Sequence, residues 1–446
     1  MITVFKQRLK SIAKRLLILI NSRNFVLSVF IIGFIVILYN FIFFVAQNGV
    51  NVPFWDQWDF TNIITGKIDL LRILSYQHNE HRIGVGLLIT KILAHYSNWN
   101  QILEIKFISW LIISSSLLIA YVKYTVNKRI EILDLTIPLV VLNIFQYENI
   151  TWGFQIAFVL PLFFLSLWTL SLKISNFRLR YAVLTTISLL SSFSSLHGLI
   201  LPILTIILSA IECFRYKAAA TRAFVTVAAA NIAAIILYFV DYTKAFQTKP
   251  SFLPSWSMIK YFSLAVSNGF FYSTNNIPVN DFITTVVLIL FVTGIWKLLT
   301  GKQKDNHTLI GCLLTFYSLA FISIICIGRS NFGIEQALSS RYITFTMLIP
   351  IGLFFISSSL KHGNYIKIAI IVFMLLNYLL FANKIVNGLE QTTNARRQAL
   401  ECYKTTATTD WGSCYKIFAL YPNEEYLDQM IPTVLQYKRG VALSNQ

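Results

Sequence analysis

The chain has 446 residues; 56% are hydrophobic and 13% are charged, about half of the ~25% charge of a soluble globular protein. So little charge cannot cover a water-soluble fold of this length, which excludes a cytosolic enzyme, a disordered chain and a disulfide-dense secreted module. Lys and Arg number 37 against 19 Asp and Glu, a net +18, and in so apolar a chain that excess points to a bilayer rather than to nucleic acid.

The first apolar run, 25–46, is long enough to span a membrane, which takes about 20 residues. It follows a basic N-terminus, 1–24, with Lys6, Arg8, Lys10, Lys14, Arg15 and Arg23. The run is too long for a signal-peptide core and no small-x-small cleavage site follows, so it reads as an uncleaved signal anchor with a cytoplasmic N-terminus. Further spans are predicted at 103–122, 131–147, 154–172, 181–196, 199–214, 223–241, 282–299, 308–327, 342–359 and 365–386, eleven in all. The stretch 83–96 is short and carries Lys91 and His95, so it is expected to lie on the membrane surface or re-enter it. The expected architecture is an all-α polytopic membrane domain over 25–386, including outer loop 47–102, and a small outer tail, 387–446.

Charge placement tests this topology. The inner segments hold 20 of the 37 basic residues but only Glu131, Asp134, Glu212 and Asp305 among the 19 acids, as the positive-inside rule requires. Counting 83–96 as a full span would invert every later loop and destroy the pattern. An odd number of spans puts the C-terminus outside. Inner loops are too short to form a domain, so soluble chemistry belongs to the outer face. Cys402 and Cys414 both fall in the outer tail, where an oxidising compartment would let them pair; two free thiols is the alternative.

Polar residues cluster first in Trp55-Asp56-Gln57-Trp58-Asp59, just after the first span. In a helical turn Asp56 and Asp59 share a face, as do Trp55 and Trp58. Two carboxylates among aromatics suit a general base, and tryptophan faces stack on sugar rings. An interfacial aromatic belt is the plainer alternative. Next comes His78-Asn79-Glu80-His81-Arg82. Arg82 could hold a phosphate bidentately, with His78 and His81 donating to the same group. These residues and the upstream Asp pair are also ligand types for a divalent cation, though without a tight metal spacing. A helix cap made by Asn79 and Glu80 is the structural alternative.

Arg329 and Arg341 flank a further outer loop, against the charge bias, and invite an anion: Glu335 or a lipid phosphate. Snorkelling at the head-group level is the alternative. Glu148, Trp152, Gln155 and His197 sit at predicted outer span ends and could line a cavity. No Walker loop, G-x-G-x-x-G or G-x-S-x-G motif is present. Ionisable residues within the spans are scarce, which disfavours an ion-coupled transporter.

Outside the cytoplasm no nucleotide-activated sugar is supplied, so group transfer there needs a donor already carried across the membrane. A polyprenyl-phosphate-linked sugar fits: its phosphate leaves readily, and the enzyme supplies a base and cations. In layout the chain resembles the GT-C class of polytopic glycosyltransferases. More narrowly, W-D-Q-W-D, H-N-E-H-R, E-N-I-T-W-G-F-Q and S-S-R-Y resemble segments of bacterial inner-membrane proteins that modify O-antigen, including serotype-converting glucosyltransferases. The resemblance implies Asp56 or Asp59 as the base, Asp56 slightly preferred, and Arg82, Arg329 and Arg341 facing phosphate. It implies a polysaccharide acceptor, membrane lipids, a flippase and a donor-synthesising enzyme as partners, and no nucleic acid. The tail is shorter than the large outer domain of some members. A flippase or transporter of a lipid-linked or anionic solute, and an O-antigen polymerase or ligase, are the competing readings.

Overall fold

Leucine, isoleucine and phenylalanine are too many for one core to absorb, and the fold leaves many of them outside. The computed structural model describes residues 22–66, 69–216, 221–243, 255–301, 305–405, Cys414 and 420–444; the basic segment before Ser22 lies outside these. The structure is 83% helical. Helices of ten or more residues are α1 (Arg23–Asn48), α2 (Gly84–Ser97), α3 (Gln101–Asn127), α4 (Ile156–Ser171), α5 (Phe177–Ser192), α6 (Ile200–Tyr216), α7 (Thr221–Phe239), α8 (Trp256–Asn268), α9 (Ile277–Thr300), α10 (Asn306–Arg329), α11 (Leu348–Ser357), α12 (Gly363–Thr405) and α13 (Glu424–Ser444).

Among the described residues, eight helical stretches are long and apolar enough to cross a membrane: Arg23–Asn48, Gln101–Asn127, Gly153–Ser171, Leu196–Cys213, Ile277–Thr300, Asn306–Phe332, Ser340–Ser357 and Gly363–Cys402. Each coincides with an expected span. On α1, Ile31, Ile32, Ile35, Val36 and Phe43 face outward; on α9, Phe282, Ile289, Val292 and Leu299 do so. Such continuous apolar surface belongs in lipid. The protein is therefore a polytopic membrane protein.

The other three expected spans differ. Region 131–147 is broken into 3-10 turns at Ile132–Leu135 and Ile144–Gln146 around a short helix, Thr136–Val141. Asn143 causes one break: its side chain accepts from the Gln146 N–H at 3.2 Å and donates to the Val140 carbonyl at 2.6 Å, local bonds that compete with the helical ladder. Regions 181–196 and 223–241 do form helices, α5 and α7, but these are shorter or less apolar. The surface helix expected at 83–96 is α2, and its buried face is Gly84, Leu87, Lys91 and Ala94. Lys91 donates to the carbonyls of Ile63 (2.5 Å) and Gly66 (2.7 Å), so its charge closes a helix end rather than entering lipid.

Within the membrane layer, α10 and α11 pack closest. A Cβ on Gly311 would stand 2.5 Å from the Gly352 carbonyl oxygen, so only glycine permits this approach.

A second, smaller core lies beyond the membrane core. It joins Trp58, Phe60, Ile64, Ile83 and Leu87 of loop 47–102 to Leu420, Leu427, Ile431 and Val434 of the tail. Loop and tail thus form one outer layer. The bridge is α12, whose 43 residues rise to about 65 Å, roughly twice the ~30 Å hydrocarbon thickness. Its projecting part is anchored by Arg396, buried, which donates to the carbonyls of Thr151 (2.9 Å) and Asn48 (3.3 Å) and lies over the Phe54 ring. Cys402 and Cys414 are joined as a disulfide, with Cα atoms 5.6 Å apart.

The opposite end of the bundle is closed by ion pairs. Lys123 meets Asp134 at 2.6 Å and Glu131 at 3.4 Å; Arg180 meets Glu212 at 2.5 Å; Lys297 meets Asp305 at 3.0 Å.

Candidate functional site

Trp55–Phe60 forms a 3-10 turn, in which residues three apart stand over one another. Asp56 and Asp59 therefore share an edge. Both face His78: Nε2 lies 3.5 Å from Asp56 Oδ2, and Nδ1 4.0 Å from Asp59 Oδ2. Trp55 starts the turn with φ +47°, a left-handed conformation unusual for a bulky residue. Its N–H donates to the Leu420 carbonyl at 2.8 Å, so the tail holds that conformation in place. Gln57 points the other way, is buried, and donates to Gln101 and to Glu104 at 2.9 Å. A Cβ on Gly153 would stand 2.0 Å from Glu104 Oε2, so the first loop can dock here only against glycine.

The second cluster is a two-residue-turn hairpin, Gln77–His78 against His81–Arg82, with Gln77 opposite Arg82 and His78 opposite His81. Asn79 takes φ +50° at its turn, which asparagine tolerates. This is a hairpin turn, not the helix cap weighed from the sequence. Strand alternation puts directly opposed residues on one face. His78 and His81 face the cavity, and Gln77 and Arg82 face away.

That alternation corrects the assignment of Arg82. Its guanidinium donates to the backbone carbonyls of Tyr238 (2.7 Å), Ser75 and Val240, and it is 4% exposed. Arg82 is tied to backbone carbonyls and does not line the cavity that His78 and His81 face.

A cavity of about 500 Å³ opens where the hairpin meets α7, α10 and the segment before α11. Asp56, His78, Glu80, His81, Gln155, His197, Arg329 and Arg341 all line it. Its remaining wall is largely apolar, with Phe158, Phe239, Phe321, Ile324 and Phe345 among its residues. Residues from four distant parts of the chain therefore meet in one place.

Arg329 pairs with Glu80 rather than with Glu335, one of the two anionic partners expected from the sequence, the other being a lipid phosphate. Glu80 also lies 3.4 Å from His81 Nε2. Burial pushes Glu80 up, but the hydrogen bond and charge of His81 and the charge of Arg329 outweigh it and hold the carboxyl at about 2. His81 Nδ1 accepts from the Leu196 N–H at 3.2 Å, which leaves the proton on Nε2, toward Glu80. Burial is the main reason the imidazole titrates below its ordinary range. Arg341 Nε lies 3.3 Å from Glu148 and 3.2 Å from the Ser339 hydroxyl. About half of its side chain remains exposed, and it stays within electrostatic reach of Asp56. Glu148 thus acts by holding Arg341 and does not line the cavity.

Gln155 is buried, and its Oε1 has no hydrogen-bond partner among the described residues. His197 is held by the Ser195 hydroxyl at 3.0 Å. Trp55 is 45% exposed but lies outside the cavity, and Trp58 is fully buried in the outer core. Trp58 therefore packs the loop and offers no face to a sugar. Asp59 also lies outside the cavity. Its Oδ1 accepts from the Tyr421 hydroxyl at 2.6 Å. Burial raises its pKa, against the Tyr421 hydrogen bond and the His78 charge. One ligand atom each from Asp56, Asp59 and His78 all lie within 4.8 Å of one another, close enough for a single cation.

Sequence reasoning did not single out Tyr421, Tyr242 or Gln336. A lone tyrosine in a polar tail carries no signal until the tail is known to fold over the first loop. No protein-family model, curated protein or solved structure matches the chain.

Proposed function

We propose that the protein is an inverting glycosyltransferase that moves a sugar, a glucosyl group on the resemblance above, from a polyprenyl-phosphate donor to a cell-surface polysaccharide such as O-antigen. The observation that carries this reading is the juxtaposition of Asp56 with Arg329 and Arg341 in a cavity whose other wall is apolar. The acceptor hydroxyl attacks the anomeric carbon as its proton passes to the Asp56 carboxylate. The bond from that carbon to the phosphate oxygen breaks, and polyprenyl phosphate departs with the electron pair. Arg329 and Arg341 neutralise the charge that grows on the phosphate. Glu80 fixes Arg329, Glu148 fixes Arg341, and the apolar wall takes the first isoprenoid units. One base suffices, so inversion follows.

The proposal includes a GT-C-like fold with eleven spans in a bacterial inner membrane, N-terminus cytoplasmic and tail periplasmic. The charge bias and the Cys402–Cys414 disulfide, a bond that an oxidising compartment favours, support that orientation. The scheme needs no metal. Chelation tests the divalent-cation alternative: loss of transfer with EDTA would make Asp56, Asp59 and His78 metal ligands rather than base and partners.

The deciding experiment compares cells carrying the wild type with cells carrying Asp56→Asn, at equal protein level. Mass spectrometry of the surface polysaccharide should show one extra hexose per modified repeat in the wild type only. Retained modification in the variant overturns the assignment. Movement of a lipid-linked solute with no new glycosidic bond would favour the transporter reading instead.

A further inference from the structure

The two acids of the first-loop turn share an edge and both meet His78, but they differ in what else surrounds them. Asp56 lines the donor cavity and Asp59 does not. Asp59 is met by tyrosines from two separate parts of the chain. Tyr421 donates to it at 2.6 Å, and the Tyr421 ring packs on Tyr426 with centroids 5.4 Å apart. Tyr76, across from them, packs edge-on against Phe60 at 5.8 Å. The phenols of Tyr76 and Tyr426 both lie within electrostatic reach of the Asp59 carboxylate. All three tyrosines are partly exposed, and so is Trp55 at the start of the same turn.

The Tyr421 hydroxyl bonds the carboxylate, Tyr76 and Tyr426 stand within its electrostatic reach, and the rings of all three rest on the outer core. Flat amphipathic rings around a fixed acceptor are what a sugar requires: its C–H faces lie on rings, and its hydroxyls bond to phenol and carboxylate.

We infer that Asp59, Tyr76, Tyr421, Tyr426 and Trp55 form the subsite for the polysaccharide acceptor, beside the donor cavity on the edge that Asp59 shares with Asp56. This rests on the transferase reading and adds to it the place of the second substrate. One 3-10 turn separates Asp59 from Asp56. A sugar held on Asp59 therefore presents a neighbouring hydroxyl to the base. The C-terminal tail becomes half of the acceptor site, which explains why it folds back onto the first loop. Its anchors are the Arg396 contacts, the Cys402–Cys414 bond and the Leu420 carbonyl, placed successively along the chain toward Tyr421.

The test uses full-length protein in lipid nanodiscs and two probes. One is the polysaccharide released by mild acid from the lipopolysaccharide of the producing cells. The other is polyprenyl phosphate. Binding of the first is read by saturation-transfer NMR and of the second by tryptophan fluorescence. Tyr421→Phe keeps the ring and loses one hydroxyl; Tyr426→Ala loses a ring. Each should weaken polysaccharide binding by about tenfold, the scale of a hydrogen bond to a charged group, while polyprenyl phosphate binds as in the wild type. Equal polysaccharide binding by wild type and both variants, with melting temperatures unchanged, overturns the subsite and leaves the donor reading standing. If the wild type binds neither probe, the transferase reading fails and the subsite with it.

Discussion

The two ends of this bundle use charge in opposite ways. At one end Glu131, Asp134, Glu212 and Asp305 each have a Lys or Arg within ion-pair distance, and Lys123 and Asp134 are almost wholly buried. These are the four acids that topology assigned to the inner side. At the other end Asp56 and Asp59 have no Lys or Arg paired with them among the described residues; they share one histidine. Charges that are fully compensated hold structure together. Acids left incompletely compensated beside a cavity are available for proton transfer.

The largest effect that could break this contrast is catalytic. Asp56→Asn should lower transfer by about 10²–10⁴-fold, the range for losing a general base, with little change in thermal stability. Asp134→Asn should do the reverse, keeping transfer per folded molecule and lowering the amount of folded protein. Hexose incorporation normalised to detergent-soluble protein separates the two. Equal loss of specific activity in both variants would erase the distinction between the ends.

The next effect is on stability. Lys123→Met leaves Asp134 without its nearest cation and takes one of its cations from Glu131. Removing one partner of a buried pair costs about 3–5 kcal/mol. Thermal unfolding in detergent should show a clear drop in melting temperature. Arg129, mostly exposed where it pairs with Glu131, should be far less sensitive to removal, since exposed pairs contribute about 0–1 kcal/mol.

Much of this contrast could be read in the sequence, for a physical reason. Long apolar runs and the sign of the flanking charge act locally, so eight of the eleven expected spans coincide with helices long and apolar enough to cross a membrane. Asp56, Asp59, Glu80, Arg329 and Arg341 stood out because charge is scarce in this chain. What could not be read were directions set by local geometry or by distant contacts. Arg82 sits one residue from His81, yet strand alternation sends its side chain to the opposite face. Trp58 sits three residues from Trp55, yet one is buried and the other open. Tyr421 gains its role only from a partner 362 residues away.

Arg82 offers the third test. Arg82→Gln should lose the three carbonyl contacts that tie the hairpin to Tyr238, Ser75 and Val240. A cost of about 2–3 kcal/mol is expected, because charged donors are involved. Melting temperature should fall, while affinity for polyprenyl phosphate per folded molecule should hold. A selective loss of that affinity at unchanged stability would return Arg82 to the donor site.

The smallest effect is a pH dependence that sharpens the comparison. Glu80 titrates at about 2, below its ordinary 4.5. A lowered acid contributes its stabilisation fully above the unfolded value and loses it as pH falls through the folded one. The Glu80 contribution should therefore be constant above about pH 5 and decline between 4.5 and 2. Asp305 is also held below its ordinary range: burial opposes this, but bonds from Ser359, Thr308 and Lys297 prevail. Glu80→Gln and Asp305→Asn should each flatten the fall in melting temperature between pH 6 and pH 3. Only Glu80 positions an arginine at the cavity, so only Glu80→Gln should also weaken polyprenyl phosphate binding at pH 7. Equal binding by the two variants would mean that Arg329 holds its place without Glu80, and that the outer ion pair is as purely structural as the inner ones.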